Sequence, residues 1–299
     1  MAKKGSSRKG SLQFSPRKRA AKMLPRVRSW PDAAGLQGFV GYKVGMVTVF
    51  VKTTNPKSPF SGKKIVKAAT VIEVPPMILR NIRTYKKTEY GAKIIKDSKT
   101  PKVEGVDFAR LIFETQPKLA GTPKKTFETV EIGFGGSVED VVKFASEHMD
   151  KEVKFSEVFS VSEFIDVTGV SIGRGLQGPV KRMGVKLQFS KTEKATRKVG
   201  SLGPWNPERT DWRVAMAGQT GFHTRTEYNK QILKIGEPIN TDCGWKKYGV
   251  TKSDCVLVLG TVVGAKKRSL KLRKPIRANS KTFAVELQNI IKNGKVSKE

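Results

Sequence analysis

The chain has 299 residues, 37% of them hydrophobic, and carries a formal net charge of +32 from 58 Lys and Arg against 26 Asp and Glu. That length allows one or two domains, and so large a surplus of like charge calls for a polyanionic partner, bound in good part by releasing counterions from phosphates. A membrane protein is argued against: the longest strongly apolar stretch, Val256–Val263, is too short to span a bilayer, and no apolar segment follows the basic N-terminus as a secretory leader requires, so a soluble intracellular protein is expected.

Residues 1–37 read as a basic N-terminal extension. The first 30 residues hold ten cations, Lys3, Lys4, Arg8, Lys9, Arg17, Lys18, Arg19, Lys22, Arg26 and Arg28, without one acid. Pro16, Pro25 and Pro31 interrupt any helix, so the arm is expected to be disordered alone and fixed on a polyanion. Phe14 and Trp30 can anchor such an arm by stacking on bases. From Gly38 to Phe50, glycines punctuate a run of β-branched and aromatic residues, a strand signature. Lys64–Val74 is a second strand, stopped by Pro75-Pro76.

Residues 82–160 differ, with 14 basic and 13 acidic side chains. That near-neutrality marks an ordinary globular module inserted into a basic protein. Val106–Glu114 and Thr126–Ile132 read as strands. Ser137 opens a helix with Asp140 as capping partner. Val138, Val141, Val142, Ala145 and Met149 form one apolar stripe at helical spacing. His148, beside it, reads as a packed or solvent-facing side chain. The segment is an α+β insertion.

Phe164–Val170 is a further strand. Beyond it, Gly173, Gly175 and Gly178 formally match the dinucleotide-binding pattern, but no apolar helical stripe follows and basic residues stand where an acid is needed. Pro179 occupies the lysine position of a phosphate-binding Walker loop. Both cofactor readings are rejected. Glycines that bring backbone N–H groups forward, with Arg174, Lys181 and Arg182, suit several phosphates instead.

Residues 171–213 contain ten basic and three acidic side chains and little periodicity. A loop this long inside a compact domain is functional or disordered; as an extended hairpin it would project roughly 60–70 Å. Its distal turn, Pro204-Trp205-Asn206-Pro207, presents a large aromatic for stacking or wedging. In the following stretch Phe222, His223, Arg225 and Tyr228 among short polar residues suit sugars, phosphates and splayed bases. His223 has no metal-ligand or catalytic spacing around it. Val256–Val263 is a strand interrupted by Gly260, and residues 266–281 add eight cations without an acid, including Lys266, Lys267 and Arg268. Cys243 and Cys255 belong to no paired motif and read as reduced core or loop residues. Short strands this far apart in sequence predict a barrel or sandwich closed by non-local pairing.

The run Phe159, Asp166, Gly169, Ser171, Gly173-Arg174-Gly175, Gly178 and Arg182, the Gly38–Phe50 segment, the GPWNP turn and the GQTGFHTRTEYNKQI stretch together resemble the large-subunit ribosomal protein three family, in its archaeal and eukaryotic branch. Met183 stands where that family carries tryptophan, and Phe189–Glu193 lacks its Pro-Arg and His-rich character. The resemblance implies a β-rich fold with an α+β insertion: a translation-factor-like β-barrel core at 38–80 and 160–275, an inserted α/β domain at 81–159, a finger loop at 171–213, the basic extension at 1–37 and a C-terminal segment at 276–299. It implies a cytoplasmic protein of the large ribosomal subunit that binds large-subunit ribosomal RNA beside neighbouring ribosomal proteins and acts early in assembly. Trp205 would be the tip of a finger approaching the peptidyl transferase centre. No catalytic residue, metal, cofactor, membrane or small-molecule substrate is expected. RNA contact is expected from Arg17, Lys18, Arg19, Arg26, Arg28, Trp30, Arg174, Lys181, Arg182, Lys186, Arg197, Lys198, Trp205, Arg209, His223, Arg225, Tyr228, Lys266, Lys267 and Arg268. A non-ribosomal architectural nucleic-acid-binding protein and an RNA-modifying enzyme are the competing readings; the second needs a cofactor pocket or general-base cluster that the sequence does not display.

Overall fold

The computed structural model describes residues 9–101, 104–193, 196–277, 285–292 and 295–298; Lys3, Lys4, Arg8 and Lys281, counted above in the basic runs, lie outside them. The chain divides into two compact units, Met1–Ala21 with Ser171–Thr224, and Lys22–Val170 with Arg225–Glu299.

The larger unit is built mainly from strands. Gly38–Thr53 is its longest, 16 residues, pairing antiparallel with Ser269–Arg273 near its start, with Val285–Lys292 near its end and with Lys64–Glu73 along its length. From Lys64–Glu73 the pairing passes to Cys255–Leu259, Thr224–Gly236, Phe164–Val170, Ser269–Arg273 and back to Gly38–Thr53, a closed circuit of six strands. The expected apolar strand from Val256 is thus Cys255–Leu259, ending where Gly260 turns to φ +84°. Its apolar run is unbroken because both faces are covered. Val256 and Val258 enter one core with Leu270, Leu272, Ile165 and Val167, while Cys255 and Leu257 enter another with Val49, Val71, Trp245 and Tyr248. Of the two free cysteines, Cys255 is buried and Cys243 is exposed.

A second sheet runs in the order Gly35–Leu36, Thr129–Gly135, Phe108–Thr115, Met77–Thr88 and Gly91–Ser98, with Glu152–Val153 pairing the start of Met77–Thr88. The two strands expected near 106–114 and 126–132 lie here, shifted by one to three residues toward the C-terminus. The Met77–Thr88/Gly91–Ser98 hairpin was not anticipated; its outer strand is almost wholly exposed, so no apolar alternation announces it. The helix forms over Val138–His148, and its capping box is complete: Ser137 Oγ accepts from Asp140 N, and the Asp140 carboxylate accepts from Ser137 N. Val141 and Ala145 are buried against the sheet core, with Val138, Val142 and Met149 partly buried beside them. His148 stacks on the Phe144 ring at 4.2 Å, a packed side chain.

One basic run needs correction. Residues 266–281 were counted as an acid-free basic run favouring contact with a polyanion, yet Ser269–Arg273 within it is a fully buried strand. Lys271 is 2% exposed and donates from Nζ to the Glu131 carbonyl oxygen at 3.0 Å. Burial pushes its pKa down to about 8. Arg273, 4% exposed, meets the buried Asp166 carboxylate at 2.8 Å and the Ser29 carbonyl at 2.8 Å. Pairing on both sides, with Gly38–Tyr42 and with Asp166–Thr168, draws these cations inward.

Candidate nucleic-acid interface

In the smaller unit the long loop is closed at its base by a two-residue antiparallel ladder, Leu176–Gln177 with Gly218–Gln219. Its remaining described residues form turns and one short helix, Pro179–Met183, between Gly178 as N-cap and Gly184 at φ +70°. Among the described residues the ladder of an extended hairpin is therefore absent beyond the base: prolines remove backbone donors, and the glycines and short polar residues give no apolar alternation to pin a register.

Arg182 braces this base. Its Nε donates to the Gln219 carbonyl at 3.1 Å and its Nη1 to the Met216 carbonyl at 2.9 Å. Its own carbonyl accepts from Arg17 Nη1 at 3.2 Å. Burial, and the neighbouring Arg17 charge, lower the Arg182 pKa. The first segment is stitched on further along: Ala20 N donates to the Phe222 carbonyl at 2.8 Å, and His223 Nδ1 lies 2.9 Å from the Lys18 carbonyl. His223 N also donates to Ser171 Oγ at 3.1 Å. Arg17, Arg182 and His223 are half-buried here and order backbone.

Around this frame Lys18, Arg19, Arg174, Lys181, Lys186, Arg197, Lys198 and Arg209 are exposed. At the distal turn Pro204, Asn206 and Pro207 are exposed too, and Trp205 stands 86% exposed. Two further aromatics of the same unit, Phe189 at 85% and Trp212 at 67%, were not singled out from the sequence; the Arg213 guanidinium lies over the Trp212 ring at 5.5 Å. Large exposed aromatics interleaved with cations are the composition of a surface that stacks bases while tracking phosphates.

In the larger unit, Arg28, Lys266 and Lys267 are exposed, and Arg225 and Arg268 are half-buried. Arg268 donates to the Val170 carbonyl at 3.0 Å. Tyr228 is 41% exposed beneath the Arg277 guanidinium at 4.6 Å. Arg26 is exposed but engaged, 3.3 Å from Glu131. Glu131 also receives the Tyr85 hydroxyl and Arg110, each at 2.6 Å. Burial opposes ionisation of Glu131, but these partners outweigh it and its pKa lies below the usual carboxylate value. Trp30, offered by the sequence as a base-stacking anchor, instead packs against the core, its ring on Gly133 where a Cβ would collide with it. Glycine at 133 is what lets the indole lie down there.

A basic hollow formed by Lys118, Lys124, Lys125 and Lys252 beside Lys267 was not anticipated from the sequence. The charge balance of residues 82–160 hid it, although the local triplet of lysines at 118, 124 and 125 without an intervening acid was a visible signal. Among the described residues no His, Cys, Asp and Glu cluster has the makeup of a metal site, and no helix is long and apolar enough to cross a membrane.

Comparison with known proteins places this chain in a family. The family model for ribosomal protein L3 matches residues 1–107 and 102–293. The large ribosomal subunit protein uL3 of Methanothermobacter thermautotrophicus is 42% identical, over 94% of this chain and 95% of that protein. Those of Archaeoglobus fulgidus and Methanococcus vannielii are 43% identical, over 90% and 92%, and 41% identical, over 98% of each chain. The matched residues take in both basic termini, the closed circuit of strands and the tryptophan-bearing loop, and on that extent of likeness the chain belongs to the ribosomal protein L3 family.

Proposed function

We propose that the chain is a non-catalytic constituent of the large ribosomal subunit in the cytoplasm, binding large-subunit ribosomal RNA beside neighbouring ribosomal proteins and entering the subunit early in assembly. The observation that carries this is the loop at 171–224: Arg174, Lys181, Lys186, Arg197, Lys198 and Arg209 stand exposed around a tryptophan with 86% of its surface free. In water such a surface is a liability; packed into RNA, each exposed group gains a phosphate or a base. The relatives' names support the subunit assignment. The closed circuit of strands supports a translation-factor-like barrel core over 38–80 and 160–275, and the separate sheet with its capped helix supports an inserted domain over 81–159. In this reading Trp205 is the fingertip, approaching the peptidyl transferase centre to arrange nucleotides rather than react with them.

The test is sedimentation and RNA binding by the purified protein. Cosedimentation with large subunits is expected, with affinity for large-subunit RNA falling steeply as salt rises. Recovery with small subunits only, or preference for duplex DNA over structured RNA, would overturn the reading.

A further inference from the structure

We propose that the hollow between the loops at 118–125 and 246–252 is a phosphate-binding track for an RNA strand, preorganised by the buried carboxylate of Glu73. This rests on the RNA-binding reading above and assigns it a contact surface that neither the basic termini nor the finger supplies.

The hollow has a volume of about 690 Å³ and is lined by Lys118, Lys124, Lys125, Lys252 and Lys267, with no carboxylate among its lining residues. A second hollow of about 430 Å³ shares Lys118 and Lys252 and continues to Lys154, with Asp254 as its one acid. Lys118, Lys125, Lys252 and Lys267 are exposed; Lys124 is held by Glu128 at 2.6 Å. The near-neutral charge of this part of the chain is unevenly spread. Several of its acids are met by arginines on the sheet, Asp97 by Arg83, Glu131 by Arg110, and Glu114 with Asp150 by Arg80, while among the described residues Lys118, Lys125 and Lys252 form no ion pair.

The walls are tied together from beneath. Glu73, fully buried at the end of the Lys64–Glu73 strand, accepts from Gly121 N at 2.9 Å on one wall. From the other it accepts Lys252 N at 2.7 Å, Ser253 N at 2.9 Å and the Tyr248 hydroxyl. Ser253 Oγ adds a bond to the Leu119 carbonyl at 2.6 Å. At the floor, a Cβ on Gly121 would collide with the Val250 carbonyl oxygen, so only glycine lets the walls meet. The backbone is thus set before any ligand arrives, and only lysine side chains remain to be ordered. Like charges on one concave surface repel until an anion is shared between them, which concentrates polyanions there. The lining holds lysines and no arginine. Point-charge ammonium groups can each meet a phosphate without a fixed approach geometry, and five of them around one acid-free hollow match the charge of a polyanionic strand.

The test uses the full chain and a Lys118→Gln/Lys125→Gln/Lys252→Gln variant, with binding to large-subunit ribosomal RNA measured across a salt series and lysine–RNA crosslinks mapped. The substituted side chains are exposed, so the melting curve stays that of the wild type. The slope of log affinity against log salt should flatten by about two to three, at roughly 0.7–0.9 per lost phosphate contact, and Lys118 or Lys252 should crosslink to RNA in the wild type. A steep wild-type slope that the variant reproduces would sink the track while leaving the RNA-binding reading intact. Crosslinks from these lysines to an acidic protein would sink it equally. A wild type indifferent to salt would overturn the RNA-binding reading itself.

Discussion

Changing Glu73 to Gln swaps one carboxylate oxygen for an amide NH2 at a site where every partner is a donor. One oxygen accepts Lys252 N at 2.7 Å and Ser253 N at 2.9 Å, the other Gly121 N at 2.9 Å and the Tyr248 hydroxyl. The amide settles with its NH2 toward Gly121 and Tyr248, since a hydroxyl can turn to accept and a backbone N–H cannot. Gly121 N then stays buried without an acceptor, at about 1–3 kcal/mol, and the two bonds from Lys252 and Ser253 lose their charged acceptor, at about 0.5–1 kcal/mol each. The sum is about 2–5 kcal/mol. For a chain of 299 residues, an unfolding entropy of about 2.1 cal/mol/K per residue turns that into a fall in Tm of about 3–8 °C. Circular dichroism reads the melting, and amide hydrogen exchange reads the cause: Gly121, Lys252 and Ser253 should lose protection while Leu111–Phe113, deep in the second sheet, keep theirs. A melting point within 1 °C of wild type, with exchange at those three amides unaltered, would refute the claim that this carboxylate holds the two loops.

Trp205→Ala removes a side chain that is 86% exposed, so unfolding free energy should move by no more than about 0.5 kcal/mol while subunit yield or peptide-bond formation falls; unchanged yield and activity remove the finger role. Arg182→Lys keeps the charge but not the fork that reaches the Gln219 and Met216 carbonyls, so limited proteolysis near 213–219 should quicken with no change in the salt slope of RNA binding. A flatter slope with unaltered proteolysis would make Arg182 a phosphate ligand instead of a brace. Lys271 has its pKa pushed down to about 8 by burial, from 10.5. Between those values the unfolded chain binds more protons than the folded one, so this lysine's contribution to stability rises with pH from about 8 to 10.5 and is a penalty below that window. Lys271→Met should therefore be more stable than wild type at pH 7 in denaturant unfolding, with the advantage shrinking by pH 10; a pH-independent difference contradicts the assignment.

Where the information is local, the chain announces its own structure. The capping pair Ser137 and Asp140, the stripe from Val138 to Met149 and the β-branched runs at Gly38–Phe50 and Phe164–Val170 were legible because a helix start or a buried strand face is decided by residues within a few positions of one another. The excess of cations in the arm and the exposed Trp205 turn were legible for a related reason, since both follow from residue type and local turn chemistry, although Trp30 of the arm packs against the core. Arg182 and His223 were each expected from the sequence to contact RNA, but their half-buried bracing of backbone carbonyls could not be read from residue type.

By itself, then, the sequence determined the cationic surplus, the strand-forming runs, the capped helix and the presence of a long unpatterned basic loop. Only the tertiary structure decided which cations face outward. Lys271 and Arg273 were drawn inside by pairing with strands about 100 to 230 residues away, whereas Lys118 and Lys252 were brought to one hollow by Glu73. Charge is a property of a residue, but exposure and neighbourhood are properties of non-local pairing, whose register depends on every strand in the circuit at once.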